Sequence, residues 1–169
     1  MAEPGSSAAG RRALVLTVSD GVAAGVREDR SGSVIADRLS ALGLSLDRGL
    51  VADDRAAISA AIRVAARTHD LIVTTGGTGL TPRDVTPEAT LDAIDLAVPG
   101  LAEAMRAAGR AKNPLADLSR AVAGVVGRCL VVNVPGSPAG AGESLEAIVG
   151  VLPHALETLA GPFDHGGAA

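Results

Sequence analysis

The chain has 169 residues, a net charge of −4, one phenylalanine, and neither tryptophan nor tyrosine. The missing rings remove the stacking platforms that single-stranded nucleic acid needs, and 15 lysines and arginines spread along the chain form no basic patch for a polyanion. An apolar fraction of 47%, carried by aliphatic side chains, is enough to bury the core of one domain.

Residues 1–12, rich in alanine, glycine and serine, are expected to form a flexible tail, and residues 13–164 a single domain. The first strand is predicted over 13–18 and is apolar enough to be central. It runs into Ser19-Asp20-Gly21 and a glycine-containing loop to Arg30. An acid at the carboxyl end of a buried first strand is a site candidate, and Ser-Asp-Gly is equally good turn chemistry. Ser31 is placed as the cap of a helix with Ile35, Leu39 and Leu42 on one side, closed by Gly43. A less buried strand follows over 44–52. Then come Asp53 and Asp54, one needed as the cap of the next helix and the other spare to face a crevice. His69 is read as a surface residue.

The stretch that organises the chain is 71–87. A short β-branched run to Thr75 reads as a buried strand, and Gly76, Gly77 and Gly79 then let the backbone turn its N–H groups toward an anion. Thr78 adds a hydroxyl to that cradle. No lysine follows the glycines, so this is not a Walker A loop, and the spacing is not that of a dinucleotide fingerprint. Asp84 lies a few residues on, before the helix start at Thr86-Pro87. A carboxylate so close to bound phosphates calls for a metal or a proton-transfer role.

Beyond it, short helices are expected over 87–94 and 101–110. Apolar runs at 121–126 and 129–134, joined by Gly127-Arg128, predict a hairpin that adds an antiparallel edge to a mostly parallel sheet. The second run ends in Pro135-Gly136-Ser137-Pro138, a rigid turn that can form the second lip of a crevice opposite the glycine loop. A final helix over 142–160 must be kinked or divided by Pro153, and 163–169 is expected to fray. The single cysteine, Cys129, falls in an apolar run and reads as a buried, inert thiol. It excludes an internal disulfide and, with no apolar run of the ~20 residues that span a bilayer, points to a soluble cytoplasmic protein. The fold class is a three-layer α/β/α domain.

Several linked segments resemble one family. They are Val18-Ser19-Asp20, Asp29-Arg30-Ser31-Gly32, Thr75-Gly76-Gly77-Thr78-Gly79, Pro82-Arg83-Asp84-Val85-Thr86-Pro87-Glu88-Ala89-Thr90, Pro99-Gly100, Leu118-Ser119-Arg120 and Asn133-Val134-Pro135-Gly136. Together, in order and over most of the chain, they look like the MogA/MoaB family of molybdenum cofactor biosynthesis. The longest of them, Pro82 to Thr90, is also similar to gephyrin-type molybdopterin-binding domains. The resemblance implies a molybdopterin-binding fold, commonly trimeric, and a molybdopterin adenylyltransferase that uses Mg-ATP and releases pyrophosphate. Its product would go to a molybdate-inserting enzyme. It implies that Asp53 and Asp84 are the functional aspartates, with Asp53 helping to hold Mg²⁺. It also implies a ligand-binding set of Ser19, Asp20, Thr75, Gly76, Gly77, Thr78, Gly79, Ser119, Pro135, Gly136 and Ser137. A departure follows Pro99-Gly100, where Leu101-Ala102 replaces the aromatic or glycine of many members. A MoaB-type carrier that binds molybdopterin without catalysis, a nucleotide-binding domain with no pterin role, and a purely structural oligomer are the competing readings.

Overall fold

The computed structural model describes residues 7–162. Its centre is a six-stranded sheet in the order β2-β1-β3-β6-β5-β4. The strands are β1 (Arg12–Val18), β2 (Ser45–Val51), β3 (Leu71–Thr75), β4 (Leu96–Ala97), β5 (Ala123–Val126) and β6 (Cys129–Val134). The first four in spatial order run parallel, while β5 is antiparallel to both of its neighbours.

The pleat divides the core in two. Ala13, Val15, Leu71, Val73, Leu130 and Val132 face one side. There they pack on α2 (Arg30–Ala41), α5 (Pro99–Arg110), α6 (Pro138–Ile148) and α7 (Leu152–Ala160). Leu14, Leu16, Val18, Ile72, Cys129 and Val131 face the other, under α3 (Arg55–Ala65) and α4 (Thr86–Ala93). Strands covered on both faces are apolar at most positions, so β1, β3 and β6 read as near-continuous runs, with buried Thr17, Thr74, Thr75 and Asn133 as the polar exceptions. The three-layer expectation therefore holds. No helix of the described residues is long and apolar enough to cross a membrane.

Chain order explains where a site can form. From β1 the chain steps outward to β2 through α2, then returns across β1 to β3 through α3. The two crossovers lie on opposite faces, so a crevice opens at the carboxyl ends of β1 and β3, where the strand order reverses.

Several local expectations needed tertiary context to correct. The helix expected to be capped by Ser31 begins two residues earlier, at Arg30, and Asp29 is its cap, accepting from Gly32 N at 2.9 Å. The loop after Asp20 contains a four-residue helix, α1 (Asp20–Ala23), capped by Ser19. A 3₁₀ turn over Pro114–Leu118 and the two-residue β4 carried no sequence period long enough to see. The hairpin is present, but β4 lies outside it, so β5 is not the edge strand. The last helix is divided rather than kinked, with Pro153 in the first turn of α7, where a missing N–H costs nothing.

His69 is not a free surface residue. Its ring is 9% exposed, with Nδ1 at 2.9 Å from Ala65 O and Nε2 at 2.9 Å from Asp47. The expected tail overlaps the described chain at 7–12, where Ala8 is buried in the core and Arg12 opens β1. Residues 1–6 and the end expected to fray, 163–169, lie outside the described residues.

Candidate functional site

Gly76 and Gly77 follow β3 with φ of +101° and +68°, a conformation that side chains resist. A Cβ on Gly76 would stand 2.3 Å from Val18 O, so only glycine lets this loop lie against the end of β1. The loop is held from below by a buried polar relay. Asn133 on β6 donates to Thr74 Oγ1 at 2.8 Å and to Thr90 Oγ1 at 2.9 Å. Thr90 donates to Thr86 O, and the Thr86 hydroxyl donates to Gly76 O, both at 2.8 Å. Thr75 Oγ1 donates to Pro135 O at 2.8 Å and joins the two lips.

Two cavities of about 620 Å³ each open beside this ridge. The polar one is lined by Ser19, Arg27, Asp53, Thr75, Gly76, Gly77, Asp84 and Gly136. The other takes Thr78, Gly79, Ser119 and Pro135, with Met105, Leu115 and Leu118 making it more apolar. Ser137 lines both. The single crevice expected from sequence is thus two clefts sharing a wall. Asp20 lines neither. It faces an adjoining hollow with Asp53, Arg27 and Arg83, and its carboxylate pairs with Arg83.

Asp54 is the cap of α3, accepting from Ala57 N at 2.7 Å, which leaves Asp53 spare as expected. Asp53 and Asp20 grip each other's backbone. Asp20 N donates to Asp53 Oδ2 at 3.0 Å, and Asp53 N donates to Asp20 Oδ1 at 2.9 Å. Asp53 Oδ1 accepts no hydrogen bond among the described residues. It lies against Gly77, 3.5 Å from where a Cβ would be.

The two aspartates differ electrostatically. Burial, and then the like charge of Asp84, push the Asp53 carboxyl above its ordinary range. Burial also opposes ionisation of Asp84. Hydrogen bonds from Thr81 and Gly79, with the Arg120 charge, outweigh it and hold that carboxyl below its usual range. The Thr81 bonds to Asp84 Oδ2 are 2.9 Å from N and 2.7 Å from Oγ1. Two carboxylates repelling each other in one cleft are the donor chemistry of a hard divalent cation. Among the described residues no cluster of three acidic, histidine or cysteine side chains could hold a metal. A cation here would complete its shell with phosphate oxygens and water, as Mg²⁺ commonly does.

Sequence reasoning passed over Asn133 and Arg120 and read Thr86 only as the capped start of a helix, whereas Val85 is the cap and the Thr86 hydroxyl serves the glycine loop instead. All lie in segments that carry the family resemblance. Nothing in the sequence shows that a buried asparagine sits beneath the glycine loop, or that Arg120 reaches back to it.

Comparison with known proteins agrees with this geometry. Residues 14–154 match the model of a family described as a probable molybdopterin binding domain. A molybdopterin adenylyltransferase of Helicobacter pylori is 38% identical over 88% of each chain. A molybdenum cofactor biosynthesis bifunctional protein of Synechococcus elongatus is 43% identical over 96% of this chain, which spans about half (51%) of that longer protein. The crystal structure of the molybdopterin biosynthesis enzyme MoaB from Thermus thermophilus is 49% identical. It covers 88% of this chain and 96% of its own, with a TM-score of 0.81. The Mog protein of Mycobacterium ulcerans, 42% identical over 88% and 99% of the two chains, gives a TM-score of 0.84. With the family model matching most of its length, this chain belongs to the molybdopterin-binding domain family of molybdenum cofactor biosynthesis.

Proposed function

We propose that this chain is a molybdopterin adenylyltransferase that transfers AMP from Mg-ATP to the terminal phosphate of molybdopterin. The observation that carries the reading is the pair Asp53 and Asp84 in a polar cleft, beside a second cleft that shares the glycine ridge and Ser137. A reaction between two bound molecules needs two subsites that meet. The names of its relatives support the same chemistry.

In this reading the polar cleft takes the triphosphate and the neighbouring cleft takes the pterin. A phosphate oxygen of molybdopterin attacks the α-phosphorus of ATP, the bond to the β-phosphate bridging oxygen breaks, and pyrophosphate leaves. Asp53 and Asp84 would hold Mg²⁺, which neutralises phosphate charge when bound. The protein's own work is placement. Amides of the Gly76-Gly77 turn orient the phosphates, Asp53 presents its unbonded oxygen, and Asp84 stays ionised because Thr81 and Arg120 stabilise its charge. With no aromatic side chain lining either cleft among the described residues, the pterin is gripped by the Ser119 and Ser137 hydroxyls and by backbone along Thr78 and Pro135.

The same reading makes the working protein a cytoplasmic homotrimer that hands its product to a molybdate-inserting enzyme. Exposed Leu91, Leu96 and Val151, outside both clefts, supply apolar surface for assembly, and the free, buried thiol suits a reducing compartment. The test is pyrophosphate release from Mg-ATP with and without molybdopterin, on the wild type and Asp84→Ala. Molybdopterin-dependent release that collapses in the variant is the expected result. Tight molybdopterin binding without release by either protein would leave a carrier instead.

A further inference from the structure

Asp84 stands at the end of an exposed loop. Leu80, Thr81, Pro82 and Arg83 are all exposed, so apolar burial does little to fix where the loop sits. The bonds within it, Asp84 N to Thr81 O at 3.0 Å and Thr81 to the Asp84 carboxylate, give it shape but not position. Position must come from outside the loop. One external clasp, Arg83 to Asp20, lies at the rim with the arginine 71% exposed, where water and salt screen it. The other is Arg120.

Arg120 follows the 3₁₀ turn, and its side chain reaches back across the wall between the clefts. Nε donates to Gly79 O at 2.7 Å and Nη2 donates to Asp84 O at 2.6 Å, while Nη1 pairs with Glu88 at the start of α4. Its backbone N donates to Thr78 O at 3.0 Å. One planar group thus holds both ends of the 79–84 loop and the helix that follows it. The strand of chain that carries Arg120 is itself pinned, since Arg106 Nη1 donates to Ser119 O at 3.3 Å and to Ala121 O at 3.0 Å.

We propose that Arg120 is a positioning residue for the nucleotidyl transfer: its guanidinium fork fixes the 79–84 loop and so sets where the Asp84 carboxylate stands in the polar cleft. The assignment rests on the adenylyltransferase reading for its kinetic readout. The geometry requires a fork. A lysine ammonium on a flexible stem keeps the charge but cannot span two carbonyls and a carboxylate in one plane. Arg120 need not touch either substrate, because Ser119 beside it lines the apolar cleft while Asp84 lines the polar one. Its loss acts on kcat, through a misplaced carboxylate.

The experiment is steady-state pyrophosphate release by Arg120→Ala and Arg120→Lys, with folded fraction followed by circular dichroism. Both variants are expected to lose kcat on the order of 10²-fold, with KM for ATP and molybdopterin changed by less than about threefold. Millimolar guanidinium should restore part of the Arg120→Ala activity. A rise in KM at constant kcat would overturn the proposal, as would an activity loss that only matches the loss of folded protein. If the wild type releases no pyrophosphate, the adenylyltransferase reading fails by itself. The clasp is then judged by amide hydrogen exchange of residues 79–84: faster exchange in Arg120→Ala at an unchanged melting temperature supports it, and unchanged exchange overturns it.

Discussion

Replacing Gly77 by alanine tests whether the ridge between the clefts is built as described. The residue has φ of +68°, and its Cβ would stand 2.3 Å from Thr86 Oγ1. Left-handed backbone costs a non-glycine residue about 1–2 kcal/mol. Thr86 must also turn away, giving up its bond to Gly76 O and leaving that buried carbonyl unpaired, which costs about 1–3 kcal/mol more. The expected loss for Gly77→Ala is therefore about 2–5 kcal/mol. Thr86→Ala alone loses the same hydrogen bond and nothing of the backbone term. In the double variant that bond is lost only once, so the two effects should fall short of additivity by about 1–3 kcal/mol. Urea unfolding followed by circular dichroism at one protein concentration measures this, with an unchanged m-value as the check that the same surface is exposed. Strict additivity, or a single-variant loss below about 0.5 kcal/mol, would refute the account of the ridge. Activity should be low in Gly77→Ala and in the double variant alike, because the new methyl lies against Asp53 Oδ1, the oxygen left open for a cation.

Asp53→Asn is expected to abolish pyrophosphate release while leaving the melting temperature at neutral pH equal or higher. A carboxyl whose pKa is raised in the fold destabilises when ionised, so stability at Asp53 grows as pH falls through that raised value. Asp84 has the opposite sign, its contribution being lost as pH falls through its lowered value. Asn133→Ala should cost at least about 2 kcal/mol in urea unfolding, since it strands the hydroxyls of Thr74 and Thr90 beneath the glycine loop. Burial and the nearby Asp70 charge push the Cys129 thiol up to about 12, so a thiol reagent should leave the native protein unmodified at pH 8 and label it fully in denaturant.

Three parts of the site were legible for separate physical reasons. The ridge showed because glycines after a β-branched run have few other uses, and Asp84 because an acid beside a phosphate cradle is costly. Asp53 was legible only as one of a pair, and the hydrogen bond from Ala57 N to Asp54 decided which of the two was spare. Asp20 lines an adjoining hollow with Asp53 rather than either cleft, since its carboxylate turns to Asp53 N and Arg83, which nothing local in the sequence says. Asn133 and Arg120 act at sequence distances of 59 and 36 residues from Thr74 and Asp84, beyond any periodic pattern.

By itself, the sequence determined the layer architecture and the position of the cradle. Doubly covered strands are apolar at most positions, and a turn with positive φ selects glycine. Only the tertiary structure decided that the crevice is two clefts with a shared wall, and that one arginine clamps the loop bearing Asp84. Such facts depend on which strand ends become neighbours. That is settled by crossovers and sheet order, through contacts between side chains that are remote along the chain.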